Sequence, residues 1–266
     1  MRYFISVSYD GSAFQGWQKQ PNGPSVQEVL ENAFSIFFRH PVSLTGAGRT
    51  DSGVHALGYT AHFDSIKEID TRDRQMIIYK INAILPHSIV LHDICQVNDN
   101  AHARFDATKR HYKYFIHTSK DPFCSNYSLF FPYEIDLDSM NKAAELMTGT
   151  LDFSSMAKLH SDTKNNLCTV YSAAWSISNP FVPGQTFDNG VAGNTHFVFK
   201  ITANRFLRNM VRAITGTLLE IGRGKQKPEW IIEVLDKKER CAAGNSVSAH
   251  ALFLTGIEYP YKLFKY

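Results

Sequence analysis

Apolar and polar residues recur along the chain with two periods, and the places where one gives way to the other mark its elements. Residues 2–9 alternate and predict a strand. Behind Ser25-Val26-Gln27-Glu28, a capping box, Val26, Val29, Leu30, Ala33, Phe34 and Phe37 recur at helical spacing until Phe38-Arg39-His40-Pro41 ends the run. Strands are predicted over 42–45 and 54–63, on either side of a glycine-rich loop. A helix over 73–84 carries Ile77, Ile81 and Ile84 on one stripe and stops before Pro86, and 89–97 is a further strand. Strand, helix, strand, strand, helix, strand is the split βαβ order of ferredoxin-like folds, which RNA-recognition domains share.

After a boundary near residue 100 the pattern repeats this order without repeating residues. Strands are predicted over 110–118, 168–177, 196–202 and 252–258, with helices over 138–147 and 205–221. Irregular stretches at 123–132, 151–166 and 180–194 are long enough to be functional loops. The fold class expected is α+β. Two ferredoxin-like, RRM-like subdomains, 1–100 with the glycine loop and 101–266, would form a mostly antiparallel central sheet with helices on one side and a cleft suited to folded RNA.

Composition narrows the setting. The chain has 266 residues, 44% apolar and 20% charged, and no apolar run of membrane-spanning length, so a membrane partner is not expected. Its first residues alternate like a strand and lack a signal peptide's apolar core, so they read as mature sequence. Cys95, Cys124, Cys168 and Cys241 lie far apart with no Cys-x-x-Cys pair, which signals neither a zinc site nor a disulfide framework and suits a cytoplasmic location.

A formal charge of +3 says little, but its distribution says more. Arg104, Lys109, Arg110, Lys113 and Lys120 face only Asp106 across 101–120. Lys200, Arg205, Arg208, Arg212, Arg223, Lys225 and Lys227 face only Glu220 across 200–227. Such runs are the electrostatic footprint of phosphate binding, although a solvated face is the commoner origin of any single run. In the helix predicted over 205–221, Leu207, Val211, Ile214, Leu218 and Ile221 form the core stripe. Arg205, Arg208 and Arg212 would then sit in its first two turns, against the helix dipole, where an anion in front of them would explain the placement. In Lys109-Arg110-His111-Tyr112-Lys113-Tyr114-Phe115, strand alternation puts Tyr112 and Tyr114 on one face. A strand tyrosine can stack on a base, though more often it is half-buried core.

The loop Gly46-Ala47-Gly48-Arg49-Thr50-Asp51-Ser52-Gly53-Val54-His55-Ala56 presents Arg49 and Asp51 between three glycines. By composition alone it reads equally as a tight turn in which Asp51 caps its own backbone.

Arg-Thr-Asp-Ser-Gly-Val-His resembles the signature of the TruA family of tRNA pseudouridine synthases, and the resemblance extends over nearly the whole chain. It includes Tyr9-Asp10-Gly11 with Phe14, Gly16-Trp17-Gln18 and Gln20, then Val26-Gln27-Glu28 with Leu30-Glu31, and Asn82-Ala83 with Leu85-Pro86. Phe105-Asp106-Ala107, Arg110-x-Tyr112-x-Tyr114, Phe206-Leu207-Arg208-Asn209-Met210-Val211-Arg212 and Ala249-His250-Ala251-Leu252-Phe253-Leu254 follow in the family's order. Ala251, Ser248 and Cys168 depart from it, standing where members carry glycine, often proline, and often arginine.

The resemblance implies isomerisation of uridine to pseudouridine at positions 38, 39 and 40 of the tRNA anticodon arm, by a homodimer without metal or other cofactor. It further implies that Asp51 is the catalytic carboxylate, Arg212 its cationic partner and Tyr112 the residue stacked on a flipped base. Arg49, Lys109, Arg110, Arg205, Arg208 and Leu252 would join Tyr112 in contacting substrate. A non-catalytic tandem RNA-binding protein is the alternative, and Asp51 argues against it because a carboxylate repels phosphates. A metal-dependent hydrolase using Asp51, His55, His62 and Asp64 is a weaker rival, because strand alternation puts His55 on the face opposite His62 and Asp64.

Overall fold

Burial rather than alternation dominates the first strand: Tyr3, Phe4, Ile5, Val7 and Tyr9 are all buried, as in a strand covered on both faces. The computed structural model describes residues 1–158, 165–178 and 195–264, so the loop expected at 180–194 lies outside the described residues, as does part of that at 151–166. Two compact units form, one of Met1–Arg110 with Leu254–Tyr266 and the other His111–Phe253. The sequence pattern placed a division near residue 100 and everything after it in the second unit. Strand pairing is non-local, so periodicity carries no sign that the last segment returns to the first unit.

In the first unit the elements are β1 (Arg2–Tyr9), α1 (Val26–Phe38), β2 (Thr45–Gly46), β3 (His55–Asp64), α2 (Arg74–Ile84) and β4 (Ile89–Val97). Sheet order β4-β1-β3, with β2 on β3, and antiparallel β1 pairings make this the ferredoxin-like arrangement. Ser25 caps α1, its side chain accepting from the Glu28 N–H, and Arg39 closes it in the left-handed conformation. The buried stripe Val26, Leu30, Ala33 and Phe34 faces the sheet, where Phe34 meets the Phe63 ring edge-on at 5.2 Å.

The strand expected over 42–45 shrinks to Thr45–Gly46. Val42 and Leu44 are buried, but α1 side chains take their backbone groups in place of a ladder. Val42 N–H donates to Ser35 Oγ at 2.9 Å and Leu44 N–H to Glu31 Oε1 at 3.0 Å, while Gln27 Nε2 donates to the Leu44 carbonyl at 2.9 Å.

The second unit has β5 (Lys109–His117), which starts in the first unit, β6 (Leu129–Phe130), α3 (Leu137–Glu145), β7 (Gly149–Asp152), β8 (Leu167–Ile177), β9 (His196–Ala203), α4 (Met210–Gly222) and α5 (Trp230–Lys237). Its sheet order is β5-β9-β8-β7, and β6 pairs in parallel with β5. Strand β10 (Leu252–Glu258) then carries the chain back to the first unit. Helix α5 and the short strands β6 and β7 have no counterpart in the sequence pattern. No described helix is long and apolar enough to cross a membrane.

One device recurs in both units. Asn82 of α2 clasps Leu91 of β4, donating to its carbonyl and accepting its N–H, both at 2.8 Å. Asn141 of α3 clasps Trp175 of β8 in the same way, at 3.2 and 2.7 Å. In each unit a helix amide pairs like a peptide with a strand position at the sheet's margin, at about 1 kcal/mol per bond.

His62 on β3 is buried and accepts the Ala103 N–H through Nδ1 at 3.1 Å. Burial pushes its pKa down to about 4, from 6.5. Because the folded state resists protonation and the unfolded state does not, stability is retained above about pH 6.5 and falls as pH drops towards 4. Urea unfolding across this range should show a shallower decline for His62→Gln than for the unsubstituted protein. Parallel declines would remove His62 from the acid response.

Candidate functional site

Asp51 owes its position to the backbone around it. At the end of β2, Ala47 N–H donates to the Thr60 carbonyl at 2.9 Å. The Tyr59 hydroxyl donates to the Gly48 carbonyl at 2.5 Å, and the Trp17 indole stacks on the Tyr59 ring at 3.9 Å. A Cβ on Gly46 would run into both the Tyr59 hydroxyl and the Trp17 ring, so only glycine allows this approach.

Beyond the bend, the Thr50 hydroxyl bonds the Tyr9 hydroxyl at 2.9 Å, and its carbonyl accepts the Trp17 N–H at 3.3 Å. Ser52 Oγ and the Gly53 N–H both donate to the Phe14 carbonyl, at 3.2 and 3.3 Å, and the Val54 N–H turns back to the Asp51 carbonyl at 3.1 Å. Gly53 adopts φ +78°, the left-handed conformation that glycine takes without steric cost. His55 accepts the Gly11 N–H through Nδ1 at 3.1 Å. Residues 9–17 therefore wrap the loop. Asp51 is half-buried between buried Thr50 and exposed Ser52, and Arg49 is exposed.

Arg110 adds a brace. Nη1 donates to the Ala107 carbonyl at 2.7 Å, and Nη2 to those of Arg104 and Ala47 at 2.8 and 3.2 Å. It thereby ties the segment at 104–107 to the Asp51 loop. Asp106 shapes that segment by accepting the His102 N–H at 2.7 Å, a bond that holds its carboxyl below the usual carboxylate range, and the ring of neighbouring Phe105 is left 75% exposed. Lys109 pairs with Glu258 at 3.0 Å.

The second unit carries the remaining candidates. On β5, Tyr114 is fully buried and donates to the Ser248 carbonyl at 2.9 Å, while Tyr112 is half-buried and meets Phe206 edge-on at 5.1 Å. Two tyrosines on one strand face thus divide into core and rim.

Helix α4 begins at Met210, not near 205. Asn209 turns left-handed at φ 68° and ends the run from Arg205, so Arg205, half-buried, and Arg208, exposed, precede the helix. The expectation that they oppose the dipole from its first turn is overturned. Leu207 keeps the apolar spacing and is buried, but it lies in irregular chain ahead of the helix.

Arg212 does lie in that first turn. Its Nε donates to the Val247 carbonyl at 2.7 Å, and the Val247 N–H returns to the Arg212 carbonyl at 3.2 Å. Gly216 lets the Asn245 backbone lie directly against α4, and the Gly244 N–H donates to Thr217 Oγ1 at 3.1 Å. Ser246 Oγ accepts from Asn209 Nδ2 at 2.6 Å and from Arg240 at 2.7 Å. The strap at 244–248 thus fixes the direction in which the guanidinium leaves the helix. Leu252 is buried.

Asp51, His55, His62 and Asp64 form no metal-holding group among the described residues, and Asp64 is clasped by Arg2 at 2.8 and 2.9 Å, which sets the hydrolase reading aside. Periodicity gave no hint that Trp17, Tyr59, Thr50 or Arg110 serves the loop. Only the family motifs containing Trp17, Thr50 and Arg110 marked three of them.

The first unit is a ferredoxin-like arrangement carrying a braced carboxylate loop, the second carries an aromatic strand and a fixed arginine, and the chain as a whole is of the α+β class. The family model described as tRNA pseudouridine synthase matches residues 5–106 and 143–260. The chain is 46% identical to tRNA pseudouridine synthase A of Bacteroides thetaiotaomicron, over 99% of this chain and 92% of that one. It is 45% identical to that of Parabacteroides distasonis, over 99% and 98%, and 36% identical to that of Vibrio cholerae, over 98% and 92%. The chain belongs to the tRNA pseudouridine synthase family.

Ser248, one of the departures from the family pattern, sits at φ −64° and ψ 156°, angles that suit proline, and its buried Oγ has no hydrogen-bond partner among the described residues. Ser248→Pro should raise stability by about 0.4–1 kcal/mol by narrowing the unfolded ensemble. A lower Tm would show that the strap depends on the serine.

Proposed function

We propose that this enzyme isomerises uridine to pseudouridine in the anticodon arm of tRNA, at positions 38, 39 and 40, with Asp51 as the catalytic carboxylate. The single observation that carries the reading is the Asp51 loop: in a chain of this family, a half-buried carboxylate stands on a loop held by Tyr9, Phe14, Trp17, Tyr59 and Arg110. A module that only bound RNA would gain nothing from such a group, since it repels phosphates.

Arg212 serves as the cation paired with Asp51. An opposed guanidinium favours the ionised carboxylate and orients it, and the Nε bond to Val247 predisposes the arginine to that task. The target uracil leaves the stack at a cost of a few kcal/mol, offset by stacking on Tyr112, whose ring is set by Phe206. Arg49 helps hold the base out, and Arg205 and Arg208 contact the phosphate backbone. The uracil is detached from the sugar, turned and rejoined through C5, with loss of the C5 proton to a base for which Tyr112 is the candidate. The enzyme works in the cytoplasm as a homodimer.

Asp51→Asn should bind tRNA normally while release of tritium from C5-labelled uridine falls by at least about 10³-fold. Retained release would refute the assignment. Arg212→Ala should lose about 10²–10³-fold with an unchanged circular dichroism spectrum, and full activity there would show the ion pair to be dispensable. Tyr112→Phe should keep tRNA affinity and lose about 10²-fold or more in kcat, whereas near-normal turnover would exclude the hydroxyl as the base.

A further inference from the structure

Away from these residues, three side chains of the second unit converge on one point. His196, the first residue of β9, directs Nε2 at Asp121 Oδ2, 3.4 Å away, and at Cys124 Sγ, 3.9 Å away, and the three candidate ligand atoms all lie within 4.8 Å of one another. Cys124 is buried and the other two are nearly so, with side chains 12% exposed for His196 and 16% for Asp121.

We propose that Asp121, Cys124 and His196 form a binding site for a divalent transition-metal ion of the zinc class, independent of the uridine chemistry. Ligand atoms around a tetrahedral zinc ion at about 2.0–2.3 Å stand roughly 3.3–3.8 Å apart, so the observed separations need only small side-chain movements. Thiolate, imidazole and carboxylate together suit zinc and disfavour magnesium or calcium, which take oxygen ligands.

The same residue types could suggest a thiol nucleophile with its base, but the geometry is wrong for that. A nucleophile, base and orienting carboxylate need both imidazole nitrogens, one for each partner. Here thiol and carboxylate face the same nitrogen, as ligands sharing one ion do.

The outer contacts also fit. His196 Nδ1 lies 3.1 Å from Thr195 Oγ1, a bond that sets the ring and leaves Nε2 as the ligand atom. The Phe123 N–H donates to Asp121 Oδ1 at 2.8 Å, which turns Oδ2 towards the site. His117 stacks on His196 at 5.9 Å and bonds Ser128 Oγ through Nδ1 at 3.0 Å, which packs the histidine ring on one side. The ion would staple the loop after β5 to the start of β9. Asp121-x-x-Cys124 with a histidine 72 positions beyond the cysteine matches no zinc spacing, so the sequence did not signal it.

Full-length protein stripped with a chelator should bind one equivalent of Co2+ per chain, with a thiolate-to-cobalt charge-transfer band that Zn2+ abolishes by displacement. Cys124→Ser should lose the band, and His196→Ala should weaken binding by at least about 100-fold. Cys241→Ser, which removes an exposed thiol 3.6 Å from Glu239, should change neither. Zn2+ should raise the Tm of the unsubstituted protein and not that of Cys124→Ser. No cobalt band, a band that survives Cys124→Ser, or one lost only in Cys241→Ser would overturn the site.

Discussion

A carboxylate on an irregular loop can be aimed only if the loop's own peptide groups are engaged, and this requirement organises the first unit. From Val42 to Val54 the chain forms only two residues of strand, so other groups must satisfy and hold its backbone. Gln27, Glu31 and Ser35 take the approach to the loop. Tyr59 and Trp17 clamp its first bend, Tyr9 and Phe14 hold the far side, and Arg110 grips Ala47 from the end of the unit's long segment. Each bond is worth about 1 kcal/mol, little beside the stability of a domain, but together they place one side chain. In the role proposed for Asp51, orientation prepared before substrate arrives would lower the barrier without reorganisation during the reaction.

The second unit applies the same principle to a cation. Arg212 leaves α4 in a direction set by the strap at 244–248, and that strap lies close because residue 216 has no side chain. Tyr114 reaches the strap from β5 through the Ser248 carbonyl, so the strand with the candidate stacking tyrosine and the helix with the candidate arginine share one anchor. The repeated asparagine clasp, Asn82 on Leu91 and Asn141 on Trp175, shows that two units without sequence repetition meet the problem of an open sheet margin identically.

Charge counted along the chain overstates what is available to a phosphate backbone. Arg110 is committed to three carbonyls, Lys109 to Glu258 and Lys225 to Glu220, and Arg223 lies over the Tyr133 ring at 3.7 Å. Arg49 and Arg208 are exposed residues. A guanidinium donating to carbonyls inside its own unit works as a brace, and nothing in composition separates that use from an RNA contact.

Much of this protein could be read from its residues in order. Periodicity located β1, α1, β3, α2, β4 and most of the second-half strands, because each reflects spacing of a few residues that local geometry dictates. The glycine loop with Arg49 and Asp51, and the motifs running beside it, pointed to the family because such motifs are contiguous. Tertiary structure decided the rest. It started α4 at Met210, since one left-handed residue breaks a helix that apolar spacing would continue, and it replaced a strand at 42–44 with side-chain bonds from α1. It returned the C-terminal segment to the first unit, made Arg110 a brace, and gathered Asp121, Cys124 and His196 from distant stretches. Those outcomes depend on which remote backbone groups come within hydrogen-bonding distance, and residue spacing along a chain does not encode that distance.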